Sequence, residues 1–224
     1  MESFVEPIRY STSLMALATA ALAFRLLARG ERSRMLAAAG AWLILATGLG
    51  LVVTHGVRTL PSPVLVPALA ALGVALGIAA LLTSDLPARL TALTDRDWRL
   101  LMSTRAAFGA LILAAGVTGL FPAAFALPAG IGDIVVAALA LVVPGSLAAG
   151  GSRAARLVVF GVGLVDFANV LRLMAVVLVP WLVETHSLGI SLLLPWVVVP
   201  LLVTLNIAGL RQLLAERTRA PATT

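Results

Sequence analysis

Seven apolar runs separated by short polar stretches make up almost the whole chain. They cover roughly residues 11–27, 35–54, 62–83, 98–120, 123–143, 155–183 and 188–210. A helix needs about 20 apolar residues to cross a bilayer, so the pattern predicts an all-α polytopic bundle of seven transmembrane helices. The intervening segments are too short to fold separately. One domain, 1–224, is expected, with 211–224 as a short basic cytoplasmic tail. One segment breaks the apolar pattern. Residues 121–133, FPAAFALPAGIGD, put two prolines, two glycines and an acid at the head of the fifth run. Pro122 suits a first helical turn, where its missing N–H costs nothing. Pro128, Gly130 and Gly132 predict a kink or break in the helix.

Composition agrees with a lipid environment. The chain is 61% hydrophobic and 12% charged, against roughly 25% charged in a soluble domain. Its mean hydropathy is +1.07. All 16 basic residues are Arg, and the net charge is +6. That balance does not imply a nucleic-acid partner, because the arginines cluster in the short connections. Alternate connections hold twelve (Arg25, Arg29, Arg32, Arg34, Arg89, Arg96, Arg99, Arg153, Arg156, Arg211, Arg217 and Arg219), and the opposite set holds two, Arg9 and Arg58. By the positive-inside rule the N-terminus lies outside and the C-terminus in the cytoplasm. A cell membrane is the expected location, the inner membrane if the source is bacterial. The expected partners are lipid and either a second copy or another membrane protein. The first run reads as a retained helix, because the N-terminus has neither a basic n-region nor a clear cleavage site. Trp98 and Trp181 fall at expected interfaces, and Gly73 and Gly77 form a GxxxG pair in the third run. Pro180, Pro195 and Pro200 each remove a helical hydrogen bond.

Four charges lie well inside the runs: Arg105, Asp133, Asp166 and Arg172. A charge at mid-membrane costs at least about 2.5–3.5 kcal/mol, so the two acids and two bases are expected to pair inside the bundle. Residue counts from the run ends place Asp133 level with Arg172, and Asp166 within reach of Arg105. Asp166, Asn169 and Arg172 recur every three residues, a polar stripe about 120° wide on the sixth run. Asn206 and Thr104 are candidates to join it. Such a cluster is either a pathway for a solute, ion or proton or a structural ion-pair lattice.

Several chemistries are excluded. Without Cys there are no disulfides, iron–sulfur clusters or thiol nucleophiles. Without Lys there is no retinal Schiff base. The two histidines, His55 and His186, sit near helix ends. Neither lies where a transmembrane haem would need it, and with Glu184 they form no diagnostic metal spacing. No HExxH, GxSxG or P-loop is present. No cofactor, metal or catalytic residue is expected.

The segment 91–210 resembles a family of small, uncharacterised bacterial multi-pass membrane proteins. The resemblance rests on Arg105 and Gly109, then Pro128, Ala129, Gly130, Gly132 and Asp133 as Pro-Ala-Gly-x-Gly-Asp. Gly163, Leu164, Asp166 and Phe167 follow, and Pro200 in the last run. Members of that family can carry His where this chain has Phe160 and Asn206, so a metal or haem held there in them would lack those ligands here. The resemblance implies no activity. Two functions remain. One is transport of a small solute, ion or lipid through the interior cluster of Arg105, Asp133, Asp166, Asn169, Arg172 and Asn206. The other is a non-catalytic scaffold, assembly or partner-binding protein whose ion pairs are structural.

Overall fold

A computed structural model of the chain describes residues 92–144, 147–148, 151–185 and 198–219, with isolated helical positions between 11 and 90. The described residues contain helices and no strand. They are α1 (Asp95–Val117), α2 (Ala123–Val142), α3 (Arg153–Leu173), a π-helical turn (Met174–Leu178), α4 (Val179–Thr185) and α5 (Val199–Arg219). Among the described residues, three helices are long and apolar enough to cross a membrane: Asp95–Val117, Ala123–Val142 and the continuous Arg153–Trp181. Val199–Ala215 is a shorter apolar helix. These correspond to the fourth to seventh runs. The first three runs, the GxxxG pair Gly73/Gly77, Pro195 and both histidines lie outside the described residues, apart from scattered helical positions within 11–25 and 72–82.

Local sequence explains the boundaries. Helix α1 starts three residues before Trp98 because Thr94 and Asp97 form a capping box. The Asp97 amide donates to Thr94 Oγ1 at 3.3 Å and the Thr94 amide to Asp97 Oδ2 at 3.0 Å. Asp95 and Asp97 also put negative charge at the positive end of the helix dipole. The helix ends where Gly119 turns the chain with φ of 75°, a conformation glycine enters without steric cost. Three residues later Pro122 caps α2, and the two helices form a tight antiparallel hairpin.

Helix α2 runs unbroken from Ala123 to Val142 with Pro128 inside it. Helix α2 is thus continuous through Pro128, Gly130 and Gly132. Pro128 and Ala124, whose carbonyl loses its partner to the proline, are both exposed near the helix start. At that end the freed carbonyl lies within reach of the hydrated interface rather than the membrane centre.

The other end of α2 is capped from α1. Arg99 Nη1 donates to the carbonyls of Ala140 (2.5 Å) and Leu141 (3.0 Å), and Nη2 to Val143 (3.3 Å). Asp95 holds Arg99 Nε at 2.8 Å, while its other oxygen accepts from the Leu147 amide. A cation at a helix C-terminus also matches the dipole.

In the third span, the π turn widens the helix just before Pro180. The wider turn relieves the clash between a proline ring and the preceding carbonyl. Pro200 is the second residue of α5 and directly follows a π-helical position at Val198. Helix α5 continues to Arg219, so residues 211–219 are helical.

Helix α2 packs on α1 and α3, and α5 packs on α3. Two apolar clusters form the interior. One gathers Trp98, Leu101, Met102, Phe108, Ala140, Val159, Phe160 and much of α5. The other gathers Ile112, Ala115, Phe121, Phe125, Ala129, Val170 and Leu173 around the α1–α2 turn. Trp98 is fully buried and meets Phe160 edge-on at 5.1 Å. It is a core residue, and the expected interface anchor at this position is corrected. Trp181 is half-buried against the second cluster. Leu127, Ile131 and Val135 form an exposed apolar stripe on α2, a suitable face for lipid.

Candidate functional site

The junction between the two apolar clusters is polar. Arg105 lies ten residues into α1, Asp133 ten into α2 and Asp166 thirteen into α3. At about 1.5 Å per residue, all three sit near the middle of their spans. Arg105 Nε donates to Asp133 Oδ1 at 2.6 Å, and Nη2 donates to Asp166 Oδ2. The guanidinium carbon stacks 4.1 Å from the centre of the Phe167 ring, a favourable placement for a desolvated cation. Arg105 is 0% exposed, Asp133 8% and Asp166 9%.

The pairing differs from expectation in one respect. Arg105 meets Asp166, and it also takes the role assigned to Arg172. Two causes are visible. The capping box starts α1 at Asp95, which moves Arg105 to mid-span and level with both acids. The stripe on α3 is also too wide to face one neighbour. Asp166 is buried, Asn169 half-buried and Arg172 exposed, and Arg172 Nη2 donates to Asn169 Oδ1 at 3.1 Å. The Asp133–Arg172 pair is therefore corrected to Asp133–Arg105. Thr104 bonds back to the Leu101 carbonyl at 2.7 Å. Nothing described connects it to the triad.

Glycines let the helices come close enough for these bonds. A Cβ on Gly109 would meet the Gly130 carbonyl, and one on Gly130 would meet Leu113 at 2.7 Å, so α1 and α2 cross almost backbone to backbone. A Cβ on Gly132 would fall on the Asp166 carboxylate. A Cβ on Gly163 would fall on Asn206 Oδ1 and lie 3.2 Å from Arg105 Nη1. Each acid thus approaches the guanidinium beside a residue with no side chain.

Asn206 is 0% exposed on α5. Its Nδ2 donates to the Leu202 carbonyl at 2.7 Å, which turns Oδ1 towards α3. Asn206 Oδ1 and Arg105 Nη1 are buried without a hydrogen-bond partner. An unmet buried polar atom costs about 1–3 kcal/mol. Sequence reasoning missed Phe167 as the stacking partner and Gly163 as the floor of this corner. Both residues stand in the Gly-Leu-x-Asp-Phe motif of the resemblance, and Phe167 also lies beside Asp166.

Electrostatically the triad sets one guanidinium against two carboxyl groups. No second cation faces it among the described residues. No group of three metal-binding side chains occurs among those residues.

The domain of unknown function DUF8737 matches residues 63–214, more than half of the 224-residue chain. The chain belongs to the DUF8737 family. The DUF8737 match encloses the triad and all of α1 to α4, and it ends within α5. Membership carries no activity with it. No curated protein and no solved structure matches the chain.

Proposed function

We propose that this DUF8737 protein moves a small cation or proton, alone or with a solute, through the Arg105–Asp133–Asp166 site. The observation that carries this reading is the charge count: one buried guanidinium serves two buried carboxylates. The second carboxyl is beyond what one guanidinium can neutralise, so at mid-span, where a bare charge is costly, it calls for a proton or another small cation. A mobile positive charge is the partner that such a site lacks. Arg105 then holds and orients the carboxylates, and Asp133 and Asp166 receive the cation.

A second reading has its own support. Arg105 is fully buried and the glycine crossings are tight. A static triad that sets helix register, in a scaffold acting through a membrane partner or a second copy, would be built this way.

Liposomes containing the purified protein and a pH- or sodium-sensitive dye separate the two. A potassium diffusion potential should drive proton or sodium entry several-fold faster than in protein-free liposomes. Asp133→Asn, with helix content unchanged by circular dichroism, should return entry to background. Entry equal to that of protein-free liposomes for both ions would remove the transport reading and leave the scaffold.

A further inference from the structure

We propose that Arg105 Nη1 and Asn206 Oδ1 together hold the hydroxyl group of a small neutral molecule in the corner above Gly163. The guanidinium uses Nε for Asp133 and Nη2 for Asp166, which leaves Nη1 as its free donor. The Asn206 amide uses Nδ2 for the Leu202 carbonyl, which leaves Oδ1 as a free acceptor. That orientation follows from chemistry, because only the NH₂ end can face a carbonyl. Both residues are completely buried. Oδ1 and Nη1 flank Gly163: a Cβ there would overlap Oδ1 and lie 3.2 Å from Nη1, so the two atoms are close enough for one hydroxyl oxygen to bridge them.

One donor and one acceptor side by side select their ligand. A hydroxyl oxygen accepts from Nη1 while its proton goes to Oδ1. A carboxylate has no proton for Oδ1, and a carboxylate or phosphate would set a further acidic group beside Asp133 and Asp166. An ammonium group has no lone pair for Nη1 and would meet a cation. The fitting class is therefore neutral and hydroxylic, with two sources: a resident water, or an alcohol group on a solute. Hydrocarbon surroundings offer no bulk water to take its place.

The site stands apart from the transport reading, since a protein that moves no ion can still hold a hydroxyl here. The test is a crystal structure of the full chain grown in lipid without added alcohol, at a resolution that shows ordered water. A second crystal is soaked in 2-bromoethanol, whose bromine gives an anomalous signal. An oxygen-sized peak within hydrogen-bonding distance of both atoms is expected. A bromine peak beside it after soaking identifies a solute site, and an unchanged peak identifies a resident water. Asn206→Leu and Gly163→Ala should each abolish the peak. Direct bonding of Nη1 to Oδ1, or no density between them, overturns the proposal. So does a peak that survives Asn206→Leu. If neither variant folds, the wild-type map still decides.

Discussion

Removing Arg105 should be far more damaging than removing either acid it serves. Arg105→Leu strands two carboxylates that are 8% and 9% exposed, with no other cation facing them among the described residues. Removing one partner of a buried ion pair costs about 3–5 kcal/mol, and the lost Phe167 stacking adds about 0.5–2 kcal/mol. A total of about 5 kcal/mol consumes much of the roughly 5–15 kcal/mol that holds a domain together. At about 2–4 °C per kcal/mol for a chain of this size, the melting point should fall by about 10–20 °C. Asp133→Asn and Asp166→Asn behave differently. Each leaves a neutral one-to-one pair, and the new amide oxygen still accepts from the guanidinium. Their losses should be a small fraction of the Arg105→Leu loss. The triple variant Arg105→Leu/Asp133→Asn/Asp166→Asn should recover most of it, because no charge remains stranded. Thermal unfolding in nanodiscs, followed by tryptophan fluorescence, measures all four. The reasoning fails if Asp133→Asn is as harmful as Arg105→Leu. It also fails if the triple variant is no better than Arg105→Leu, which would assign the loss to lost packing and not to charge.

Three further outcomes are expected from the same measurement. Arg172→Leu should leave the melting point within a few degrees, since Arg172 is exposed and, among the described residues, bonds within its own helix; a loss like that of Arg105→Leu would reinstate it as a partner of Asp133. Gly132→Ala should cost about 1–3 kcal/mol by overpacking against the Asp166 carboxylate. Adding Asp166→Ala should relieve part of that loss, and strictly additive losses would show that the two residues do not touch. Arg99→Leu should cost about 1.5–3 kcal/mol by freeing the last carbonyls of α2, and an unchanged melting point would show that those carbonyls are met in another way.

The apolar runs were legible because length and hydropathy alone mark a span. Three of them, 98–120, 123–143 and 155–183, lie within a few residues of observed helices. The interior charges were equally visible, as Arg105, Asp133 and Asp166 interrupt long apolar stretches. Pairing was harder to read. It depends on helix phase and on a start point three residues earlier than the hydropathy edge, set by the Thr94–Asp97 box. The effect of Pro128 was hard to read for a related reason. Pro128 lies on an exposed face near a helix start, where a missing hydrogen bond disturbs little. Loop arginines read only as topology signals. Arg99 is also a cap for α2, and Arg156 is buried in α3, donating to the Gly151 carbonyl at 3.2 Å. Those roles need a neighbouring helix end, which no one-dimensional pattern displays.

The position of Arg105 also has a bearing on biogenesis. Its first partner, Asp133, is 28 residues away and its second, Asp166, is 61 away. Helices α1 and α2, joined by the Gly119 turn, can thus enter the bilayer as one hairpin whose two interior charges already cancel. Neither helix then has to cross alone with the roughly 2.5–3.5 kcal/mol insertion cost of a bare charge. The third span arrives later with its own acid and finds the guanidinium already placed. The second carboxyl of the triad is therefore introduced at the later step, where α3 docks.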